Sequence, residues 1–166
     1  MGQLDPMLER VVLVSDYTRY IREKIGHDRV IMVGAGVFIY KDGQVLLQKR
    51  KDNFCWAMHG GGVEMGEKVE DAARRELKEE TGLIAGKLEL LGVFSGEHMM
   101  YTYPNGDKVC IVGINYVCRD FTGELLPETD ETSELKWFDI DNLPQNISPP
   151  DIEPLNAFFE YMKRAK

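Results

Sequence analysis

The chain has 166 residues, of which 43% are hydrophobic and 29% are charged, as in an ordinary globular domain whose core is large enough to fold alone. Its formal net charge is −8, so the surface repels nucleic-acid phosphate and anionic lipid unless a cation or a local basic patch intervenes. This balance argues against binding to DNA or to a membrane. It also predicts that an anionic substrate would be held with the help of a metal.

The three cysteines, Cys55, Cys110 and Cys118, are odd in number and form no C-x-x-C pair. A disulfide framework or a zinc site is therefore not expected, and reduced thiols in a cytosol are the simpler interpretation. The polar start MGQLDPMLER does not resemble a secretory signal, and no apolar run is long enough to span a bilayer. We therefore expect a cytoplasmic protein.

Residues 1–29 are expected to form a helical extension ahead of a main domain that covers residues 30–166. Within the extension, DYTRYIREKIG places Tyr17, Tyr20 and Ile21 at helical spacing, and Gly26 is suited to end the helix. These side chains could pack on the domain or form a contact between two copies of the chain. The sequence leaves both interpretations open.

The segments that follow predict strands on both sides of one prominent helix. VIMVGAGVFIY and VLLQKR are predicted strands joined by an Asp-Gly turn in KDGQ, and KDNFCWAMHGGG is a predicted loop. The helix is expected from Val69 to Thr81, closed by Gly82. Strands are then predicted in LELLGVFSG, MMYTY, KVCIVGINYVCRD and ELKWFDI, and DIEPLNAFFEYMKRAK predicts a closing amphipathic helix. This order indicates an α/β or α+β sandwich.

Three acidic residues of the predicted helix fall on one face. Glu76, Glu79 and Glu80 are three and four positions apart, so they lie within one turn and repel one another. The string RRELKEE could be a solvated face stabilised by ion pairs. However, a glycine-rich turn precedes the helix, and carboxylates beside exposed backbone suit Mg²⁺, which prefers oxygen ligands and is often shared with substrate phosphates.

The stretch GGVEMGEKVEDAARRELKEETGL, from Gly61 to Leu83, resembles the Nudix box, G-x5-E-x7-R-E-U-x-E-E-x-G-U with U aliphatic. The match is complete and has the right spacing, and the flanking strands and helix extend the resemblance over roughly residues 30 to 166. It implies an α/β fold, an α/β/α sandwich around a mixed β-sheet. It also implies a Mg²⁺-dependent or Mn²⁺-dependent hydrolase in which water attacks a phosphorus of a nucleoside diphosphate linked to another group X.

Several residues match functional positions of the family. The resemblance assigns Glu76, Glu79 and Glu80 to the metal, with the backbone carbonyl of Gly60 as a further ligand seen in some members. It places Glu79, Glu76 and Arg75 in the catalytic machinery. Glu67 matches the early glutamate that pairs with the box arginine, Arg75, so a structural role is expected for it.

Three residues outside the box have two interpretations each. Arg50 ends a predicted strand where similar proteins hold substrate phosphates, although it could simply be a surface arginine. Tyr101 lies near the position at which dinucleoside polyphosphate hydrolases stack a base, although a hairpin core residue is the interpretation that we favour. His59 replaces a proline common before the glycines, and we expect a solvated loop histidine there rather than a contact to substrate or metal.

The general base is either a box glutamate or a later carboxylate. The later candidates are Glu97, Glu128, Asp130, Glu131 and Glu134, and Glu131 and Glu134 precede the strand LKWFD.

The group X is not specified by the sequence. The array SQPWPFPxS of NADH-specific members is absent, and Met99 occupies the region where many ADP-ribose hydrolases carry a proline. Two other functions remain: a non-catalytic nucleotide sensor on the same fold, and an isomerase that would use Cys55. A nucleotide is the expected small-molecule partner, and a homodimer is compatible with the family.

Overall fold

The computed structural model describes residues 17–165. Residues 1–16 of the expected extension lie outside the described residues, so the sequence interpretation of that segment stays a prediction. The helices are α1 (Tyr17–Ile25), α2 (Val69–Thr81) and α3 (Ile152–Arg164). The strands are β1 (Val30–Lys41), β2 (Gln44–Arg50), β3 (Trp56–Ala57), β4 (His59–Gly62), β5 (Ile84–Ala85), β6 (Leu88–Phe94), β7 (Met100–Thr102), β8 (Lys108–Cys118), β9 (Phe121–Thr122) and β10 (Thr132–Asp139).

The main sheet is mixed. Its central order is β10-β2-β1-β8-β6, while β3, β4 and β7 pair at the sides of β2, β1 and β8. Strands β1 and β8 run parallel, and every other pair within this sheet is antiparallel. A second, two-stranded sheet joins β5 to β9.

Two apolar clusters cover the two faces of the main sheet. Alternate residues of a strand point to opposite faces, and β1 shows this with Val37 and Phe38. Val37 packs in the cluster that contains Leu77 of α2, whereas Phe38 packs with Phe158 of α3. The molecule is therefore an α/β/α sandwich around a mixed sheet, as the sequence predicted.

The turns that position α2 follow the local sequence. Asp42 and Gly43 adopt φ of 50° and 82° in the β1–β2 hairpin, as a two-residue turn of this hand requires. Gly82 ends α2 in the left-handed region with φ of 80°, and its N–H donates to the Lys78 carbonyl. Both features confirm what the Asp-Gly pair and the terminal glycine predicted.

The prediction of a loop over KDNFCWAMHGGG was wrong, because β3 and β4 form within it. Glycines have low strand propensity, yet β4 pairs with β1 at very short range. A Cβ at Gly60 would lie 2.5 Å from the Ala35 carbonyl oxygen and 2.7 Å from the Gly36 Cα. The pairing of β4 with β1 thus requires glycine. Because the segment has no β-branched residues, the sequence did not suggest a strand there.

Helix α1 packs on the domain through Arg22, whose guanidinium makes four contacts. Nη1 donates to the carbonyls of Gly26 at 3.1 Å and Asp28 at 2.7 Å, and Nη2 donates to the Lys108 carbonyl at 2.9 Å. Nε lies 3.5 Å from Asp107 Oδ1. Of the side chains that the sequence left open, Tyr20 is exposed, while Tyr17 and Ile21 are half-buried.

No helix among residues 17–165 is long and apolar enough to cross a membrane.

Candidate active site

Strand β4 presents its outer edge to α2. The Gly60 N–H donates to Glu80 Oε2 at 2.9 Å, and the Gly62 carbonyl accepts from Arg75 Nη2 at 3.0 Å. At Gly61 a Cβ would lie 2.5 Å from the Glu76 carboxyl carbon. The three glycines therefore let the helix carboxylates approach the backbone of β4 directly.

Arg75 is the centre of an ion-pair network with three glutamates. Its Nε and Nη2 donate to the two oxygens of Glu67 at 2.8 and 3.0 Å, and its Nη1 donates to Glu76 Oε1 at 2.7 Å. The same Nη1 lies 3.4 Å from Glu79 Oε2. The Arg75 guanidinium lowers the pKa of Glu67, and these carboxylates raise the pKa of Arg75 above its ordinary value. Glu67 also accepts the Glu64 N–H at 3.0 Å, so it links the loop to the helix.

The three helix carboxylates have different surroundings. Glu80 is only 4% exposed, and burial raises its pKa well above the ordinary value, with the charges of Glu76 and Glu131 acting in the same direction. Burial also raises the pKa of Glu76, although Arg75 opposes this shift. Glu79 has a 60% exposed side chain. Two of the three carboxylates therefore lie in low dielectric, where their ionised forms are costly.

His59 contradicts the expectation of a solvated loop histidine, because it is completely buried in β4. Its Nε2 lies 3.1 Å from the Leu46 carbonyl oxygen, and since a carbonyl only accepts, Nε2 carries the proton. Nδ1 therefore has a bare lone pair, and it lies 3.9 Å from Glu80 Oε2. Burial lowers the pKa of His59 to about 4, so the ring is neutral at physiological pH. Strand pairing, which was not foreseen here, is the reason for the burial.

The three helix carboxylates, Arg75 and the β4 glycines border a cleft of about 510 Å³, which we call the acidic cleft. Its lining includes Thr18, Arg50, Gly60, Gly61, Gly62, Glu64, Arg75, Glu76, Glu79, Glu80, Tyr103, Thr129, Asp130 and Glu131. Arg50 is held by Asp52 through two hydrogen bonds of 2.8 and 2.7 Å, and this pair fixes the guanidinium beside the glutamates. Helix α1 reaches the cleft as well, because the Tyr17 N–H donates to Glu64 Oε2 at 2.8 Å.

The later carboxylates divide into two groups. Asp130 and Glu131 line the acidic cleft, whereas Glu97, Glu128 and Glu134 are not among its lining residues. Glu128 is instead engaged by Lys51 Nζ at 2.6 Å. The structure therefore brings Glu131, but not Glu134, close to the box glutamates.

A second pocket, of about 190 Å³, adjoins the cleft and shares Thr18, Arg50 and the β4 glycines with it. We call it the apolar pocket. Tyr101 and Tyr103 border it, with ring centroids 4.9 Å apart in an edge-to-face arrangement. Tyr101 accepts a hydrogen bond from Asn53 Nδ2 at 3.2 Å. Tyr101 thus lies beside a pocket and at the hairpin, so neither of its two interpretations is eliminated.

Sequence reasoning missed several residues that border the apolar pocket, among them Thr18, Met58, Asn115 and Asp151. They come from four separate parts of the chain and carry no shared local motif. The one available signal was in β8, where Asn115 interrupts an apolar row at strand spacing. Cys55, the residue that an isomerase would need, lines neither the cleft nor the apolar pocket.

The donor chemistry of the acidic cleft fits a hard divalent cation. Glu76, Glu79 and Glu80 supply carboxylate oxygens, which Mg²⁺ prefers. Since the N–H and C=O of a residue in an antiparallel strand point to the same edge, the Gly60 carbonyl faces the side on which its N–H meets Glu80. Within residues 17–165, no three His, Cys, Asp or Glu side chains are already gathered in a metal-binding geometry. Glu76 and Glu79 are instead paired with Arg75.

Comparison with known proteins identifies the family. A model of the NUDIX domain matches residues 30–158. An ADP-ribose pyrophosphatase of Methanocaldococcus jannaschii is 44% identical over 135 residues, which cover 80% of this chain and 71% of that protein. The nucleoside triphosphatase NudI of Escherichia fergusonii is 35% identical over 123 residues, covering 69% and 83%. The crystal structure of a MutT NUDIX hydrolase from Burkholderia pseudomallei matches with a TM-score of 0.66 at 34% identity, over 77% of this chain and 98% of that one.

The chain therefore belongs to the Nudix hydrolase family, whose members are pyrophosphohydrolases that act on nucleotides. The resemblance inferred from the box is confirmed. Helix α1 lies before the residues that the family model matches, and the boundary between residues 29 and 30 stays a prediction.

Proposed function

We propose that this protein is a Mg²⁺-dependent hydrolase that cleaves the diphosphate linkage of a nucleoside diphosphate joined to a group X. The observation that supports this most directly is the pair of Glu76 and Glu80, whose pKa values are raised by burial at the edge of β4. A divalent cation would stabilise both carboxylates in their ionised form. Arg50, which lines the same cleft, would then meet substrate phosphate.

Each residue has a distinct role in this proposal. Glu76, Glu79, Glu80 and the Gly60 carbonyl would hold the metal, and a bound Mg²⁺ supplies charge stabilisation at phosphorus and acidifies a water. Arg50 would bind and orient the phosphates, since a guanidinium offers two parallel donors to an oxyanion. Arg75, fixed by Glu67, would keep the glutamates in place. The attacking water would lose its proton to a box glutamate or to one of the later carboxylates that line the cleft, Asp130 and Glu131.

ADP-ribose is the first substrate that we propose to test. The relative that is 44% identical carries the name ADP-ribose pyrophosphatase, and the apolar pocket beside the cleft offers space for a nucleoside. The proline that marks many such enzymes is replaced by Met99, which is 2% exposed and borders the pocket. The pocket wall is therefore built differently at that position, and a broad panel is needed.

The experiment is a hydrolysis screen with Mg²⁺ and then with Mn²⁺. The panel contains ADP-ribose, nucleoside triphosphates and their oxidised forms, nucleotide sugars, CDP-alcohols, dinucleoside polyphosphates and capped RNA. Glu79→Gln is compared with Glu70→Gln, because both residues are exposed on α2 and only Glu79 lines the cleft. We expect metal-dependent cleavage of one class, lost in Glu79→Gln and kept in Glu70→Gln.

Two results would count against this proposal. Undiminished activity of Glu79→Gln would remove that residue from the metal site. Nucleotide binding without cleavage of any compound would favour the sensor instead.

We also propose a cytoplasmic protein that binds no DNA and forms a homodimer. The exposed apolar side chains Ile31, Leu90 and Val93, which are 59 to 66% exposed, supply a surface on which a second copy could pack. A monomeric mass in light scattering across the micromolar range would contradict the dimer.

A further inference from the structure

The apolar pocket lies on the α3 side of the sheet and is lined by one row of β8. Alternate residues of a strand share a face, and Val109, Ile111, Gly113 and Asn115 all border the pocket. Val117, the next residue of this row, packs against α3. Asn115 is therefore the one polar side chain in an apolar row, at the place where the pocket gives way to the core.

The side-chain amide of Asn115 is buried without a partner. The residue is only 1% exposed, and neither Oδ1 nor Nδ2 has a hydrogen-bond partner among the described residues. A buried amide in this condition is costly, and native proteins satisfy most such groups. Gln48, another buried amide, is fully engaged, since it donates to the Met58 carbonyl at 3.0 Å and accepts from Thr132.

Two glycines beside Asn115 keep the wall of the apolar pocket low. Gly34 and Gly113 are neighbours across β1 and β8 and present no side chain. At Gly36 a Cβ would lie 2.8 Å from Asn115 Oδ1 and 2.7 Å from Met58 Cε, so these two side chains already fill the space over that glycine and fix the amide at the pocket wall. Tyr101 and Tyr103 border the same pocket, and aromatic rings of this kind suit a stacked or edge-on base.

We propose that Asn115 is a specificity-determining residue that reads the N6/N7 edge of an adenine held in the apolar pocket. This inference rests on the proposed function, because it places the nucleoside of the diphosphate substrate in this pocket. An amide presents one donor and one acceptor side by side, and adenine presents the complementary pair at N6 and N7. Hypoxanthine presents two acceptors, O6 and N7, so it makes only one hydrogen bond with the amide and meets repulsion at the other atom.

The binding test uses ADP and IDP, which differ only in the base edge. Titration calorimetry on the full chain measures both ligands for the wild type and for Asn115→Leu. Since a bidentate asparagine–adenine pair contributes substantially to discrimination, we expect about 10- to 100-fold weaker ADP binding in the variant, with IDP binding little changed. Equal affinity of the wild type for ADP and IDP would overturn the inference.

A stability measurement separates reading of the base from a structural role. Asn115→Leu replaces an unpartnered amide by an apolar group of similar size, so thermal unfolding should occur at the wild-type temperature or a few degrees higher. Gln48→Leu is the matched control, because it removes an amide that is already bonded, and it should lower the midpoint. Destabilisation of both variants, with unchanged ADP preference, would assign Asn115 to packing alone.

Gly113→Ala provides a second variant, which leaves the Asn115 amide itself in place. A Cβ there would meet Met99 Cε at 3.5 Å and Asn115 Nδ2 at 3.8 Å, which are ordinary contacts. The variant should fold as the wild type does and should bind ADP more weakly, because the methyl group projects into the pocket. Unchanged ADP affinity in Gly113→Ala would place the base elsewhere.

The two proposals fail separately. ADP binding that depends on Asn115, without hydrolysis of any panel compound, would sustain this inference and refute the hydrolase. Hydrolysis of ADP-ribose with the same KM and the same adenine preference in Asn115→Leu would refute this inference and leave the hydrolase standing.

Discussion

The acidic cleft and the apolar pocket are adjacent, yet they are built in opposite ways. The ion pairs and metal-type carboxylates of the cleft come largely from one continuous stretch, Gly60 to Glu80, with Arg50 and Glu131 added from outside it. The pocket shares Arg50 and the β4 glycines with the cleft and takes most of its remaining wall from α1, β1, β7, β8 and the segment before α3. The difference shows that the chemistry is encoded locally, whereas recognition of the substrate depends on the whole fold. Mutations should therefore separate the two regions.

The largest effect is expected at the glycine edge of the cleft. Gly60→Ala places a Cβ 2.5 Å from the Ala35 carbonyl oxygen. Because this clash is with backbone and no side chain can rotate away to relieve it, β4 must shift away from β1. We expect a loss of about 3 kcal/mol in the free energy of unfolding and a loss of at least about 100-fold in turnover, since misplacement of a site by about 1 Å is enough for that.

The control for Gly60→Ala is Gly34→Ala, whose Cβ would meet the Gly61 carbonyl oxygen at an ordinary 3.6 Å. Urea unfolding and initial rates measure both variants. Equal stability of the two would show that β4 tolerates a side chain and that the glycine edge is not essential.

A metal should stabilise the folded protein by binding in the acidic cleft and not in the apolar pocket. Mg²⁺ binding only to the folded protein adds about 2.7 kcal/mol to the free energy of unfolding at 100 times its Kd, so thermal unfolding should shift upward and EDTA should reverse the shift. Glu80→Gln should reduce this shift. It should also raise the stability of the metal-free protein, because the pKa of Glu80 shows that its ionised form is disfavoured. An undiminished Mg²⁺ shift in this variant would remove Glu80 from the ligand set.

Asp151, which borders the apolar pocket, should make the free energy of unfolding depend on pH. Burial raises the pKa of this carboxyl from 3.8 to about 7, against the opposing effects of Arg50 and the Met58 N–H. The folded protein therefore keeps a proton that the unfolded chain has lost, and stability falls as the pH rises from about 4 to 7, with no further loss above that. The full shift corresponds to about 4 kcal/mol, and partial exposure of the residue reduces it to about 2 kcal/mol.

Asp151→Asn should remove this pH-dependent loss of stability. Urea midpoints of the wild type and the variant, compared at each pH, should converge near pH 4 and differ most near pH 8, with the variant more stable. Parallel curves over the whole range would mean that Asp151 ionises normally in the folded protein.

The smallest effect is expected at Tyr101. Tyr101→Phe removes the oxygen that accepts from Asn53 and keeps the ring, so the KM should change little. Tyr101→Ala removes a ring that borders the pocket and should raise the KM by a factor that corresponds to about 1 kcal/mol, while kcat stays near the wild-type value. A fall in kcat with an unchanged KM would move Tyr101 from the pocket to the cleft.

The sequence predicted the parts of the fold that short-range rules control. The Asp42–Gly43 turn and Gly82 both occupy the left-handed region that their residue types suggest, and α2 has the predicted bounds. The box predicted which side chains meet at the cleft, because helical spacing and one glycine turn bring them together. The prediction failed for β4 and His59, where pairing with a distant strand outweighed local propensity. Asn115 was missed because its surroundings come from chain segments far from it in sequence.

The contacts of Arg22 affect where the chain can be truncated without loss of structure. Its guanidinium binds carbonyls on both sides of residue 30, at Asp28 and at Lys108, although the family model begins at residue 30. A chain shortened to the family match would lose the donor that serves the start of β8, and it would lose Thr18, the α1 residue that borders both cavities. We expect that the stable folding unit begins before residue 30, where the match to the family model begins. In this protein, helix α1 lies outside the shared Nudix domain and still forms part of the wall of the acidic cleft and of the apolar pocket.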